Sequence, residues 1–227
     1  MERITASEQI FRTLRKRILS MELKPGESVN VQALADELGV SKSPVRDALL
    51  KLREDNLVEI LPQSGTHVSL IDMDQVRVER FLRTSLEAGA AVRFCASRTD
   101  EDLADMQLAI EAQKNAFGRN DMAMFLAYDD AFHSVLFRSL GFDRLWNIIQ
   151  NQSGNYHRIR LLSFGMPQVC EDIIDKHRQM LAAFRNRSEQ DVSSLEENHL
   201  GKLDDEAAEI EARCPGYFKK QGKKENL

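Results

Sequence analysis

The sequence predicts a mainly α-helical chain in two parts: a small head of three helices closed by a β-hairpin, and behind it an all-α antiparallel six-helix bundle. Three observations predict it. Apolar residues recur at helical spacing over most of the 227 positions. Turn-forming prolines crowd the head as Pro25, Pro44 and Pro62, whereas only Pro167 and Pro215 lie beyond it. Two β-prone runs, residues 57–61 and 66–70, flank the hairpin loop Pro62-Gln63-Ser64-Gly65. The expected boundaries are 1–71 for the head, 72–215 for the bundle and 216–227 for a polar tail.

In the head, Ile10, Leu14 and Ile18 set one face of a first helix over about residues 7–21, which Lys24-Pro25-Gly26 ends. Asn30 stands where it would cap a second helix over residues 31–38, and Gly39 can take the left-handed geometry that stops it. Ser41 stands at the cap of a third helix running to about residue 54, with Pro44 in the first turn, where a missing N–H costs little. The bundle helices are expected over residues 73–97, 100–117, 121–140, 143–164, 167–186 and 189–212. Thr99, Asn120 and Ser188 stand at N-cap positions.

Composition narrows the class. Hydrophobic residues make up 42% and charged residues 30%, ordinary values for a soluble globular chain. No run approaches the roughly 18 apolar residues of a membrane span, and the charged N-terminus has no apolar leader core. Cys95, Cys170 and Cys214 are far apart and form no CxxC, which fits a reducing cytoplasm and argues against a cysteine-built metal site or disulfide framework. The net charge of −5 does not announce a nucleic-acid binder, but it is uneven. The first 70 residues hold ten Lys/Arg against ten Asp/Glu, so the deficit lies beyond them. Within the head, Arg12, Arg15, Lys16 and Arg17 form one basic cluster and Lys42, Arg46, Lys51 and Arg53 another.

The segment LADELGVSKSPVRDALLKL has the physical parts of a helix-turn-helix. Leu34, Leu38, Val45, Leu49 and Leu52 supply a buried face, and Val40 can plug the angle at the Gly39 turn. Lys42, Ser43, Arg46 and Asp47 then point outward at the start of the second helix, where a recognition helix meets DNA. Arg46 can pair bidentately with guanine, and Ser41, Lys42 and Ser43 suit phosphate oxygens. The hairpin would be a wing, with Gly65 permitting close backbone approach and His67 reaching phosphate or the minor groove. On periodicity alone, a small helical domain with a solvated basic face is the competing reading.

The stretch PGESVNVQALADELGVSKSPVRDALLKLREDNLVEILPQSGTHV resembles the GntR family of bacterial regulators across the whole head. It shares the family's Pro-Gly turn, its Leu-Ala-x-x-Leu-Gly-Val-Ser run, its Pro-Val-Arg-x-Ala-Leu run and its Gly-containing wing. Lys42 stands where the family usually has Arg, and Ser64 where the wing often has Arg. Lysine lacks the planar fork, which favours phosphate binding over base reading at position 42.

Histidines carry the signal in the bundle. Asp129 and His133, four apart, share one helix face; His177 lies among Ile173, Ile174 and Met180, and His199 beside Leu195 and Leu200. Folded inward, one carboxylate and three imidazoles suit Zn, Ni, Fe or Mn, with open positions for water or a bound acid. Isolated polar residues on helix surfaces are the other reading. The basic cluster His157-Arg158-Ile159-Arg160 offers Arg160 as a side chain that could face the cavity, or a surface pair.

Residues 77 to about 210 resemble the FCD effector domain of the FadR-type branch of GntR proteins. The matching marks are Arg83 with Glu87, DDAFH at Asp129 to His133, and the single histidines His177 and His199. Six helices resemble the VanR-type subgroup. The resemblance implies a divalent metal held by Asp129, His133, His177 and His199, with a small carboxylate effector beside or upon it. Arg83 is the candidate for holding that carboxylate, and an i, i+4 ion pair with Glu87 is its alternative role.

Two functions follow as expectations. One is a cytoplasmic transcriptional regulator, a homodimer that binds a near-palindromic operator and answers to a small acid or metal. The other is a metal-dependent enzyme acting on a small organic acid. Against it, no residue is obviously placed as general base and no nucleophile motif appears.

Overall fold

A computed structural model describes residues 5–192 and 203–220. They pack as two compact units, Met1–Val76 with Glu211–Leu227, and Arg77–Ile210.

The first unit contains α1 (Ala6–Leu19), β1 (Ser28–Val29), α2 (Val31–Leu38), α3 (Lys42–Glu54), β2 (Val58–Leu61) and β3 (Gly65–Val68). Ile10, Leu14, Ile18 and Leu19 line the buried face of α1, and Thr5 Oγ1 caps it by accepting from Glu8 N at 3.2 Å. The helix stops short of the expected residue 21 because Met21 turns left-handed, with φ 62°. Asn30 Oδ1 caps α2 by accepting from Ala33 N at 3.0 Å, and Gly39 ends it at φ 65°, a conformation that costs glycine nothing. Ser41 sits at the N-cap of α3 with extended backbone but makes no side-chain cap hydrogen bond, so the expected cap is one of position only.

The sheet has the order β1-β3-β2, all antiparallel, with Val58 opposite Val68 and Ile60 opposite Thr66. Strand β1 is an addition to the sequence reading: two residues cannot display an alternating pattern. Gly26, at φ 83°, lets the chain meet β3, with Gly26 N donating to Val68 O and Val68 N to Glu27 O, both at 2.9 Å. Leu14, Ile18, Val45, Leu49, Leu52, Leu57 and Val68 close the core of this unit. Within the expected polar tail, Phe218 pairs in parallel with Ile71: Ile71 N donates to Tyr217 O at 2.8 Å and Lys219 N to Ile71 O at 2.9 Å. Both apolar side chains are buried.

Further helices are α4 (Met73–Ser97), α5 (Asp100–Gly118), α6 (Met122–Ser139), α7 (Asp143–Asn151), α8 (Gly154–Ser163), α9 (Pro167–Asn186) and α10 (Leu203–Arg213). In the second unit α5 packs along both α6 and α9, and α6 along α7 and α8. Thr99 caps α5 in a reciprocal box with Asp102: Asp102 N donates to Thr99 Oγ1 at 3.1 Å, and Thr99 N to Asp102 Oδ2 at 2.9 Å. Asn120 is not the cap of α6. It takes the left-handed turn at φ 57°, and Asp121 caps instead, accepting from Met124 N at 3.0 Å.

The single helix expected over residues 143–164 is two. Ser153 Oγ donates to Ile149 O at 2.5 Å, offering that carbonyl a partner other than a helical N–H. The freed N-terminus of α8 is capped from another helix: Glu79 of α4 accepts from Tyr156 N at 2.7 Å and from Asn155 Nδ2 at 3.0 Å. Burial raises the Glu79 pKa, and these hydrogen bonds counter it. The break re-aims α8 and with it Arg160.

Candidate metal centre and DNA-reading surface

In the first unit, Val45, Ala48, Leu49 and Leu52 hold α3 against the core, which leaves Ser41, Lys42, Ser43, Arg46 and Asp47 exposed. The basic cluster on α1 is largely spent on carboxylates: Arg12 on Glu8, Arg15 on Asp55, and Arg17 on Glu22 and Glu37. Among the described residues, neither Lys42 nor Arg46 has an ion-pair partner. They flank the N-terminus of α3, whose amide dipoles add positive potential, so this is the surface suited to an anionic duplex. Gly65 is exposed at the wing with φ 90°. His67 is half-buried, and its Nε2 lies 2.8 Å from Ser64 O, so this nitrogen braces the wing turn.

In the second unit, α6 and α9 bring Asp129, His133 and His177 together, all three buried. One ligand-type atom from each lies within 4.8 Å of the others. His177 Nε2 is 3.6 Å from Asp129 Oδ1, His133 Nε2 is 3.9 Å from Asp129 Oδ2, and the two Nε2 atoms are 3.3 Å apart. The outer ring nitrogens are fixed. Gln113 Nε2 donates to Asp129 Oδ1 at 3.3 Å, which turns Gln113 Oε1 toward His177 Nδ1 at 2.8 Å. His177 Nδ1 therefore carries the proton. His133 Nδ1 lies 3.0 Å from Glu87 Oε2 and does the same. Phe132 stacks on the His177 ring at 4.1 Å and holds its plane.

This donor set fits a divalent cation. Two imidazole nitrogens facing each other across 3.3 Å, beside a carboxylate, are donors of the type and spacing that a divalent cation can join. The outer carboxylate and amide are the usual means of holding metal-binding imidazoles in the right tautomer. A bound ion would supply a Lewis-acidic point able to take a carboxylate oxygen. Burial pushes His177 down to about 3, so it stays neutral, whereas at His133 burial is outweighed by the Glu87 carboxylate, which raises its pKa. Burial acts on Glu87 in the opposite sense, but Arg83 and His133 outweigh it and hold its carboxyl at about 2. His199 lies outside the described residues.

Both ligand-binding candidates line the same interior. Arg83 donates through Nε to Glu87 Oε1 at 2.6 Å and through Nη1 to Asp130 Oδ1 at 3.1 Å. The i, i+4 ion pair with Glu87, foreseen as one of the two roles of Arg83, is present. Its buried Nη2 has no hydrogen-bond acceptor among the described residues, with Asp129 Oδ2 at 3.7 Å. Arg160 pairs with Asp129 and reaches Asp130 Oδ1 at 3.0 Å.

Residues 6–68 match the gntR family of bacterial regulatory proteins, and residues 80–202 match the FCD domain. The chain belongs to the gntR family and carries an FCD domain. The transcriptional repressor RspR of Escherichia coli is 27% identical over 215 residues, covering 95% of this chain and 94% of RspR. The Nta operon transcriptional regulator of Aminobacter aminovorans is 24% identical over 192 residues, 85% of this chain and 90% of that one. Among solved structures, E. coli McbR/YncC superposes with a TM-score of 0.75 at 20% identity, covering 93% of this chain and all (100%) of that one. A putative GntR regulator from Rhodococcus sp. RHA1 also gives 0.75, at 18% identity and 91% and 97% coverage. These relatives are regulators, and this gntR-family chain is a regulator of transcription rather than an enzyme. The fold expectation, a winged helix-turn-helix head with a helical FCD domain, holds.

Several residues of the FCD interior escaped the sequence reading. Gln113 carries a visible signal: it is a polar residue on the buried face that also holds Met106, Ile110 and Ala116. Asp130 stood in the DDAFH motif but had no assigned role. Tyr156 and Trp146 form an aromatic wall, with ring centroids 5.9 and 5.6 Å from Arg83 Cζ. Nothing in the spacing of α7 and α8 shows that wall, because it depends on the break between them.

Proposed function

We propose that this gntR-family regulator works as a cytoplasmic homodimer on a near-palindromic operator, with its DNA affinity set by a divalent metal and a small carboxylate effector in the FCD domain. Lys42, Arg46, Ser41 and Ser43 contact DNA from α3, and Gly65 and His67 from the wing. Asp129, His133 and His177, with His199, hold the metal; Arg83 and Arg160 hold the effector.

The observation that carries the sensing half is the convergence on Asp129 of two imidazole lone pairs and the Arg83 Nη2 that lacks an acceptor. A buried guanidinium nitrogen without an acceptor is costly, and a bidentate carboxylate would supply one. Pairing is supported by α4. Opposite the face that carries Arg83 and Glu87, it exposes Phe81 at 73% and Val78 at 62%, in line with Ser85 and Val92. A self-complementary stripe of this kind suits a two-fold partner. The free cysteines accord with a reducing compartment, and among the described residues no helix is long and apolar enough to cross a membrane.

The test is a gel-shift titration on DNA upstream of the chain's own gene, with Zn2+ and small acids present or absent. A sequence-preferring shift whose midpoint moves with acid supports the reading. A shift indifferent to sequence, or unmoved by metal and every acid, refutes it.

A further inference from the structure

Asp130 neighbours Asp129 in the chain and shares Arg160 with it, Nη2 of Arg160 pairing with Asp129 and Nη1 with Asp130. Its Oδ1 accepts from two guanidiniums at once, Arg83 Nη1 at 3.1 Å and Arg160 Nη1 at 3.0 Å. Behind them stand Tyr156 and Phe164, with Arg160 Cζ 5.5 and 5.7 Å from the ring centroids. Two guanidiniums against an aromatic wall, converging on one carboxylate, form the site a small acid requires. Here a side chain of the protein fills it.

We propose that Asp130 is a built-in competitor for the effector carboxylate, closing the Arg83–Arg160 clamp until an incoming small acid displaces it. The inference rests on the carboxylate-effector reading above.

Three features single out Asp130. First, of the three carboxylates around Arg83 it alone has a path to water: its side chain is 15% exposed, against 2% for Asp129 and 0% for Glu87. Of the three, it alone has solvent beside it into which it could turn. Second, its grip is incomplete. It engages Nη1 of Arg83 and leaves Nη2 without an acceptor, whereas a free carboxylate can bridge both. Third, replacing Asp130 by a monocarboxylate leaves the interior charge unchanged. Binding then becomes an exchange of one carboxylate for another. Such an exchange weakens apparent affinity and rejects acids that gain nothing beyond the clamp.

The experiment is calorimetric titration of the Zn2+-loaded full chain with acetate, lactate and succinate, for wild type, Asp130→Asn, Asp130→Ser and Asp130→Glu. The two charge-removing variants are expected to bind acids about tenfold more tightly or better, and the glutamate variant to stay within about twofold of wild type. Thermal unfolding without acid verifies that each variant is folded. On wild type, the Asp130 carboxyl carbon resonance is expected to move toward that of a solvated carboxylate as acetate saturates. Equal affinity across the series, or an unmoved resonance at saturation, overturns the competitor role and leaves the carboxylate reading standing. No binding of any acid by any of these proteins overturns both.

Discussion

His133 Nε2 and His177 Nε2 face each other at 3.3 Å, each with its other ring nitrogen beside a buried acceptor, Glu87 Oε2 at 3.0 Å and Gln113 Oε1 at 2.8 Å. The two outer contacts make the site a matter of orientation as much as of ligand identity. His177→Ala removes a proposed ligand and is expected to abolish stoichiometric metal. Gln113→Leu leaves every ligand in place but frees the His177 tautomer, and is expected to weaken metal binding by about 10–100-fold. Metal content by mass spectrometry after dialysis, with competition against a chelator, measures both. Unchanged affinity in Gln113→Leu would show that Gln113 does not orient the ligand.

The proposed DNA reading assigns different tasks to Arg46 and Lys42. Both are exposed on α3, and among the described residues neither has an ion-pair partner. Arg46→Ala is expected to cost about 1–3 kcal/mol on the preferred operator and to relax base preference at one position. Lys42→Ala should weaken all sequences alike and lower the salt slope of log K by about 1. Fluorescence anisotropy on matched and mismatched duplexes over a range of salt separates them. A loss of base preference in Lys42→Ala with no change in slope would reverse the two roles.

Much of this was legible in the sequence. The head was readable because its signals are local: Asn30 and Gly39 bracket α2, and Pro62 to Gly65 mark the hairpin. Asp129 and His133 were readable because one helix turn places them together. What was hidden depends on packing across elements. Glu79 caps α8 from 77 positions away, as the Tyr156 N contact shows, so of the two contacts at the break in the fourth bundle helix only the local Ser153 bond could be read along the chain. Gln113 acquires its role only when α5 meets α9. Asp130 was in plain view, but its partners come from α4 and α8, which only the fold brings together.

The exposed stripe on α4 makes a prediction about assembly. Phe81 is 73% exposed on a helix whose opposite face is buried. If two copies pair across Val78, Phe81 and Val92, Phe81→Glu places like charges against each other at the two-fold and should give monomers. Sedimentation velocity over a range of concentrations reads this directly. Operator affinity should fall with dimer content, while the affinity of the proposed metal site for Zn2+ should stay unchanged. A variant as dimeric as wild type would move the interface elsewhere.

The capping box of α5 gives a prediction about pH. Asp102 accepts from Thr99 N and Thr99 Oγ1, at 2.9 and 2.8 Å, and from Ser139 Oγ at 2.9 Å. Partial burial alone would raise its pKa, but these hydrogen bonds outweigh it and hold the carboxyl below its ordinary 3.8. The ionised form is thus favoured in the folded chain over the unfolded one. The stabilisation is fully present above pH ~4 and disappears as pH falls through the lower folded value. At pH 7, Thr99→Ala and Asp102→Asn should each cost about 1 kcal/mol, the usual worth of a helix cap. On acidification the deficit of Asp102→Asn relative to wild type should close, because wild type becomes protonated too, while that of Thr99→Ala persists in part through the lost hydroxyl. Urea unfolding at pH 7, 4.5 and 2.5 tests the pair. A deficit for Asp102→Asn that stays constant across that range would mean the charge of Asp102 contributes nothing, and that the cap is held by geometry alone.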